Sequence, residues 1–94
     1  MIRLRYTSAA WDDLTEIMEY IAADNLTAAD EWVEKIQHRC KLIAQNPEMG
    51  QLCPEFGDRI RSVSIGRYVI FHRLTNDTLE IVRIIAGHQN ITSL

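Results

Sequence analysis

The chain has 94 residues, enough for one domain around one core, and 47% of them are apolar, which excludes a disordered chain. No apolar stretch approaches the ~20 residues of a membrane span, and the opening Met1-Ile2-Arg3-Leu4-Arg5-Tyr6 lacks the apolar run of a signal peptide, so a cytoplasmic location without membrane association is expected. The net charge of −3 is unevenly shared: residues 1–58 carry five Lys/Arg against eleven Asp/Glu, and residues 59–94 carry five Arg against two acids.

In chain order, residues 1–6 alternate Ile2, Leu4 and Tyr6 with Arg3 and Arg5, the period of a half-buried strand. Thr7-Ser8 offers a helix N-cap, and Asp12 and Asp13 are expected near the helix start, where negative charge suits the dipole. Ala10, Leu14, Ile17, Met18 and Ile21 trace one helical face, and the helix is expected to stop near Ala23. Asn25 or Thr27 can cap the second helix, with Asp30 and Glu31 again near its start. That helix carries Ala29, Trp32, Val33, Ile36, Cys40, Ile43 and Ala44 inward, adds a Glu31–Lys35 pair outward, and ends at Pro47. Two such helices joined by a short polar turn pair as an antiparallel hairpin. Trp11 and Trp32 are expected to pack within it rather than stack on bases.

Residues 46–58 contain two prolines and two glycines and are expected to form an irregular connection. Three strands follow: Arg59–Ile65, whose imperfect alternation suggests a bulge, then Tyr68–Leu74 and Leu79–Ile85, with turns at Gly66-Arg67 and Thr75-Asn76-Asp77. The reading is an α+β domain spanning 1–94 with the order β-α-α-β-β-β. A helical hairpin packs on one face of an antiparallel sheet that ends in a three-stranded meander. The opposite face is expected to be left open to a partner.

No motif for a nucleophile elbow, a phosphate loop or a zinc helix occurs. His38, His72 and His88 are scattered, so neither a metal nor another cofactor is expected. Cys40 falls on an apolar helix face, and Cys53 falls in a connection, where exposure is expected; the pair is read as reduced thiols. Eight of the ten basic residues are arginines. Their fixed donor fork suits carboxylates and phosphates. Arg59, Arg61, Arg67, Arg73 and Arg83 all lie on or between the last three strands. Convergence on one face would make them a grip for an acidic partner; ordinary solvation of strand residues explains them equally well. His88, at a strand end, has the ordinary pKa of a general acid or base.

Four segments, in order, resemble ParE-type toxins of the ParE/RelE superfamily. They are Ala10 to Ala29, with Asp13-Leu14, Tyr20-Ile21-Ala22 and Asn25; Asn46-Pro47-Glu48-Met49-Gly50; Ile60 to Arg73, with Gly66-Arg67-Tyr68; and Leu79 to His88. The resemblance implies the toxin half of a type II toxin–antitoxin pair, a plasmid-stabilisation system causing growth arrest, neutralised by a cognate antitoxin. It implies a homodimer or a toxin–antitoxin hetero-oligomer. ParE-type members inhibit DNA gyrase by binding; RelE-type members cut mRNA in the ribosome. RelE-type chains place an arginine where this one has Tyr68, another where it has Gln89, and lysines in the connection before the sheet, where residues 46–58 have none. Phosphodiester cleavage needs such cations to stabilise transition-state charge. The gyrase-binding, non-enzymatic reading is therefore favoured. Arg59, Arg61, Arg67, Arg73, Arg83, His88 and Gln89 are the expected contacts for target or antitoxin. Ribosome-dependent mRNA cleavage through Arg61, Arg83 and His88 is one alternative, and a non-toxic antitoxin-binding module is the other.

Overall fold

The computed structural model describes residues 2–87 and 89–94. Its elements are β1 (Arg3–Tyr6), α1 (Ser8–Ala22), α2 (Leu26–Gln45), β2 (Gln51–Leu52), a 3₁₀ turn (Pro54–Phe56), β3 (Arg61–Ile65), β4 (Tyr68–Thr75) and β5 (Thr78–Ala86). The expected α+β class and element order are present. Thr7 caps α1, its Oγ1 accepting the Ala10 N–H at 3.0 Å, and Asn25 caps α2 through the Ala28 N–H at 3.0 Å. Neither helix has an acid in its first turn, so the dipole reading of Asp12, Asp13, Asp30 and Glu31 is corrected. Lys35 lies over the Trp32 ring, 4.6 Å from its centroid, rather than pairing with Glu31.

The sheet has five strands in the order β1-β5-β4-β3-β2. The last three strands form the expected antiparallel meander, and β1 joins β5 in parallel at one edge. The connection over 46–58 is not wholly irregular: β2 pairs with β3 at the other edge. Gly50, with φ +94°, makes this possible, because a Cβ there would meet the Ser62 carbonyl oxygen at 2.4 Å. The bulge lies elsewhere than expected. Arg59 precedes β3 in the left-handed region, whereas the register shift falls between β4 and β5, where Phe71 faces Arg83 and His72 faces Ile81. The extra β5 residue changes which positions face the helices. Leu79 and Ile81 pack in the main core before it, and Ile84 and Ala86 after it.

That core lies between the helices and the sheet and holds Leu14, Ile36, Cys40, Ile43, Ile70, Leu79 and Ile81. Each large aliphatic side chain buried there contributes about 2–3 kcal/mol relative to exposure. Both rings pack on strands rather than within the hairpin: Trp32 meets Tyr68 edge-on at 5.6 Å against the core, and Trp11 lies on Tyr6 at 4.5 Å but stays 48% exposed. The opposite face is not left open throughout. A second cluster of Cys53, Ile60, Phe71 and Ile85 forms there, with Phe56, Ile91 and Leu94 packed on it. Cys53 is accordingly buried rather than exposed, its thiol 3.3 Å from the Ser62 hydroxyl. Among the described residues, no helix is long and apolar enough to cross a membrane.

Gly66 opens the β3–β4 turn at φ +59°, and a Cβ there would meet Trp32 Cη2 at 2.4 Å. Gly66→Ala is expected to cost about 2–3 kcal/mol in urea melts, from backbone strain plus the clash. Adding Trp32→Leu relieves the clash alone.

Burial pushes the Cys40 thiol up to about 11, from an ordinary 9.0, and raises the neighbouring Tyr6 phenol further. Both are neutral when folded; the Cys40 contribution is complete below about pH 9 and is lost as pH rises through about 11, and that of Tyr6 is lost only at higher pH. Burial, followed by the nearby Arg61 charge, lowers the pKa of His72 from its ordinary 6.5, against a Met49 carbonyl contact that raises it. Its contribution is complete above about pH 6.5 and is lost as pH falls through the lowered value. Melts against pH should show both flanks, with Cys40→Ala flattening the alkaline one and His72→Gln the acid one.

Candidate functional site

The site is built on a polar flank of α1. Helical geometry places Asp13, Glu16 and Tyr20 (positions i, i+3 and i+7) along one side of the helix, next to the apolar stripe of Leu14 and Ile17. Opposite stands the part of β5 beyond the end of β1. Pairing with β1 stops at Ile81, and α1 and its capping residue supply the polar partners thereafter. Thr7 Oγ1 donates to the Val82 carbonyl at 2.8 Å, and Asp13 Oδ2 accepts the Ile84 N–H at 2.9 Å.

Asp13 also takes both arms of Arg83: Nε donates to Oδ2 at 2.7 Å and Nη2 to Oδ1 at 2.8 Å. The third arm, Nη1, donates to the Leu94 carbonyl at 3.1 Å. Hydrogen bonding to Asp13 holds the Arg83 pKa above its ordinary value despite burial, so the guanidinium is charged at every physiological pH. This pair closes the floor of a groove of ≈ 420 Å³, whose rim carries Glu16, Tyr20, Arg67 and Gln89. Tyr20 is 72% exposed, the largest value among the big apolar side chains on the surface.

The expected site residues divide. Arg67, Arg83 and Gln89 come together in this groove. Arg61 does not; its Nη1 donates to the Gly50 carbonyl at 3.0 Å. Arg73 binds Glu80 at 2.9 Å, and Arg59 is exposed beside Asp58. His88 lies outside the described residues. Of the two readings left open for the arginines, the structure fits ordinary placement along the strands: they lie on different faces and ends, and Arg73 and Arg83 are each bound to an acid within the fold. Among the described residues no group of three or more His, Cys, Asp or Glu side chains could hold a metal ion.

Sequence reasoning missed Asp13, Glu16 and Tyr20 as site residues. The signal was their shared helix flank, but only the β5 edge opposite gives that flank a role. Asp13→Ala strands a mostly buried guanidinium and the Ile84 N–H, and is expected to destabilise by about 2–4 kcal/mol. In a double-mutant cycle by chemical denaturation, Arg83→Met should be far less harmful in the Asp13→Ala background than alone.

Residues 4–91 match the family described as the ParE toxin of the type II toxin–antitoxin system, parDE. Toxin ParE1 of Mycobacterium tuberculosis, in two strains, is 31% identical over 64 residues, covering 67% of this chain and 63% of that protein, so the match spans just under two thirds of the relative's length. A chain of the chromosomal ParDE TA system from P. aeruginosa superposes with a TM-score of 0.78 at 22% identity, covering 92% of this chain and 96% of that one, which establishes a shared fold. Since that family match runs over residues 4–91 of its 94, the chain belongs to the ParE toxins of type II toxin–antitoxin systems.

Proposed function

We propose that this chain arrests growth by binding DNA gyrase, without chemistry of its own, and is neutralised by a cognate antitoxin that occupies the groove between α1 and β5. In this reading it is the toxin of a plasmid-stabilising pair acting in the cytoplasm, and its assembly is a toxin–antitoxin hetero-oligomer.

The observation that supports recognition over cleavage is the state of the groove's strongest cation. Arg83 is held bidentately by Asp13, which neutralises the charge that a pentavalent phosphate would need. Arg61, the other cation of the nuclease alternative, is committed to the Gly50 carbonyl away from that groove. The rim of Glu16, Tyr20, Arg67 and Gln89 has the composition of a recognition site: one charge of each sign, an exposed aromatic ring and an amide. An antitoxin segment filling it would set an acid against Arg67 and an apolar side chain against Tyr20.

Expression without the partner should arrest growth, and purified protein should inhibit supercoiling by gyrase while transcripts stay intact. Normal supercoiling in excess protein, or transcripts cut at codon boundaries, would overturn this reading. Arg67→Glu and Tyr20→Ala should each weaken antitoxin binding about 10-fold or more in calorimetry, without changing the melting temperature by more than about 2 °C.

A further inference from the structure

We propose that the free edge of β1 takes an extended segment of a partner protein, with acidic and apolar side chains in alternation, as a sixth strand. This surface shares no residue with the α1–β5 groove and goes beyond the reading above.

Three observations meet at this edge. First, among the described residues β1 is the outermost strand and pairs only with β5. The Arg3 N–H donates to the Asp77 carbonyl at 2.7 Å, and the Thr7 N–H donates to the Ile81 carbonyl at 3.0 Å. In a parallel pair alternate residues bond to a given neighbour, so Leu4 turns its N–H and C=O outward, towards the free edge. Unpaired strand edges of this kind are templates for another chain.

Second, the two faces of the edge differ in chemistry. On the helix side, Ile2 and Leu4 of the N-terminal segment and Ala44 of α2 line a groove of ≈ 550 Å³, with Lys41 and Gln45 at its rim. All three apolar residues are only half-buried against the core, so the groove has apolar surface to offer. On the other side, Arg3 and Arg5 follow the alternation, and Arg5 shares Glu80 with Arg73 across three adjacent strands. Arg3, Arg5, Arg73 and Lys41 thus surround the edge, with Glu80 as the acid set between Arg5 and Arg73.

Third, these features specify one occupant. A strand added at β1 alternates its side chains between the faces. Those on the groove side meet Ile2, Leu4 and Ala44 and must be apolar. Those on the other side meet Arg3 and Arg5 and are best acidic. A second copy of this chain is disfavoured, since its own Arg3 and Arg5 would oppose these. Nucleic acid is disfavoured because Glu80 lies within the basic row and the groove offers apolar surface to side chains.

The test uses the full chain, ¹⁵N-labelled, and a capped synthetic hexapeptide of alternating Glu and Val. Saturable binding is expected, with exchange of the Leu4 amide slowed roughly 10-fold and that of Arg3, already bonded to β5, unchanged. Arg3→Glu and Lys41→Glu should each weaken binding roughly fivefold with unaltered circular dichroism. The proposal is overturned if the Leu4 amide is not slowed, or if an alternating Lys–Val peptide or an oligothymidylate binds as tightly.

Discussion

The arrangement turns on the point where β1 ends and the chain becomes α1. Beside Ile81 the parallel pairing stops, and β5 continues for five residues with an edge that would lie unsatisfied inside the protein. Buried backbone groups without partners cost about as much as a lost hydrogen bond each. Thr7 and Asp13 remove that cost by binding Val82 and Ile84, and Asp13 also fixes Arg83. One carboxylate therefore satisfies a strand edge, neutralises a cation and sets the distance of α1 from the sheet.

The irregularity in β5 belongs to the same design. A strand with strict alternation would present either Leu79 and Ile81 or Ile84 and Ala86 to the helices, but not both pairs. The additional residue opposite the Phe71/His72 step lets all four enter the main core. It also sets Arg83 opposite Phe71 on the far face, from where it reaches round the end of β5 left bare by β1 to Asp13 and to the Leu94 carbonyl. Helix packing, strand edge and groove floor are consequences of one register shift.

Charge is distributed to match. Exposed carboxylates of α1 face solvent on the helical layer, while Arg3, Arg5 and Arg73 occupy the end of the sheet that the second apolar cluster leaves uncovered. The groove at α1–β5 is therefore lined by charges of both signs, and the edge at β1 is mainly basic.

What the amino-acid sequence determined by itself was set by local periodicity. The three-four spacing of Leu14, Ile17 and Ile21, a cap at Thr7-Ser8, another at Asn25 or Thr27, and turns at Gly66-Arg67 and Thr75-Asn76-Asp77 are local properties; the structure places the caps on Thr7 and Asn25 and gives Thr75 to β4, which leaves Asn76-Asp77 as the turn. The resemblance carried by Asp13-Leu14, Pro47 to Gly50 and Gly66-Arg67-Tyr68 identified the family. Register, strand order and partnership were decided only in three dimensions, because they depend on contacts between residues 70 or more apart, such as Asp13 with Arg83 and Arg5 with Glu80. Nothing in the sequence near Asp13 distinguishes a helix-dipole acid from one that closes a strand edge. Likewise, alternation in residues 1–6 predicts a strand but not which edge it joins or in which direction. Tertiary structure made that choice, since a half-buried strand gains its stability from whichever sheet edge lets Ile2, Leu4 and Tyr6 reach the core.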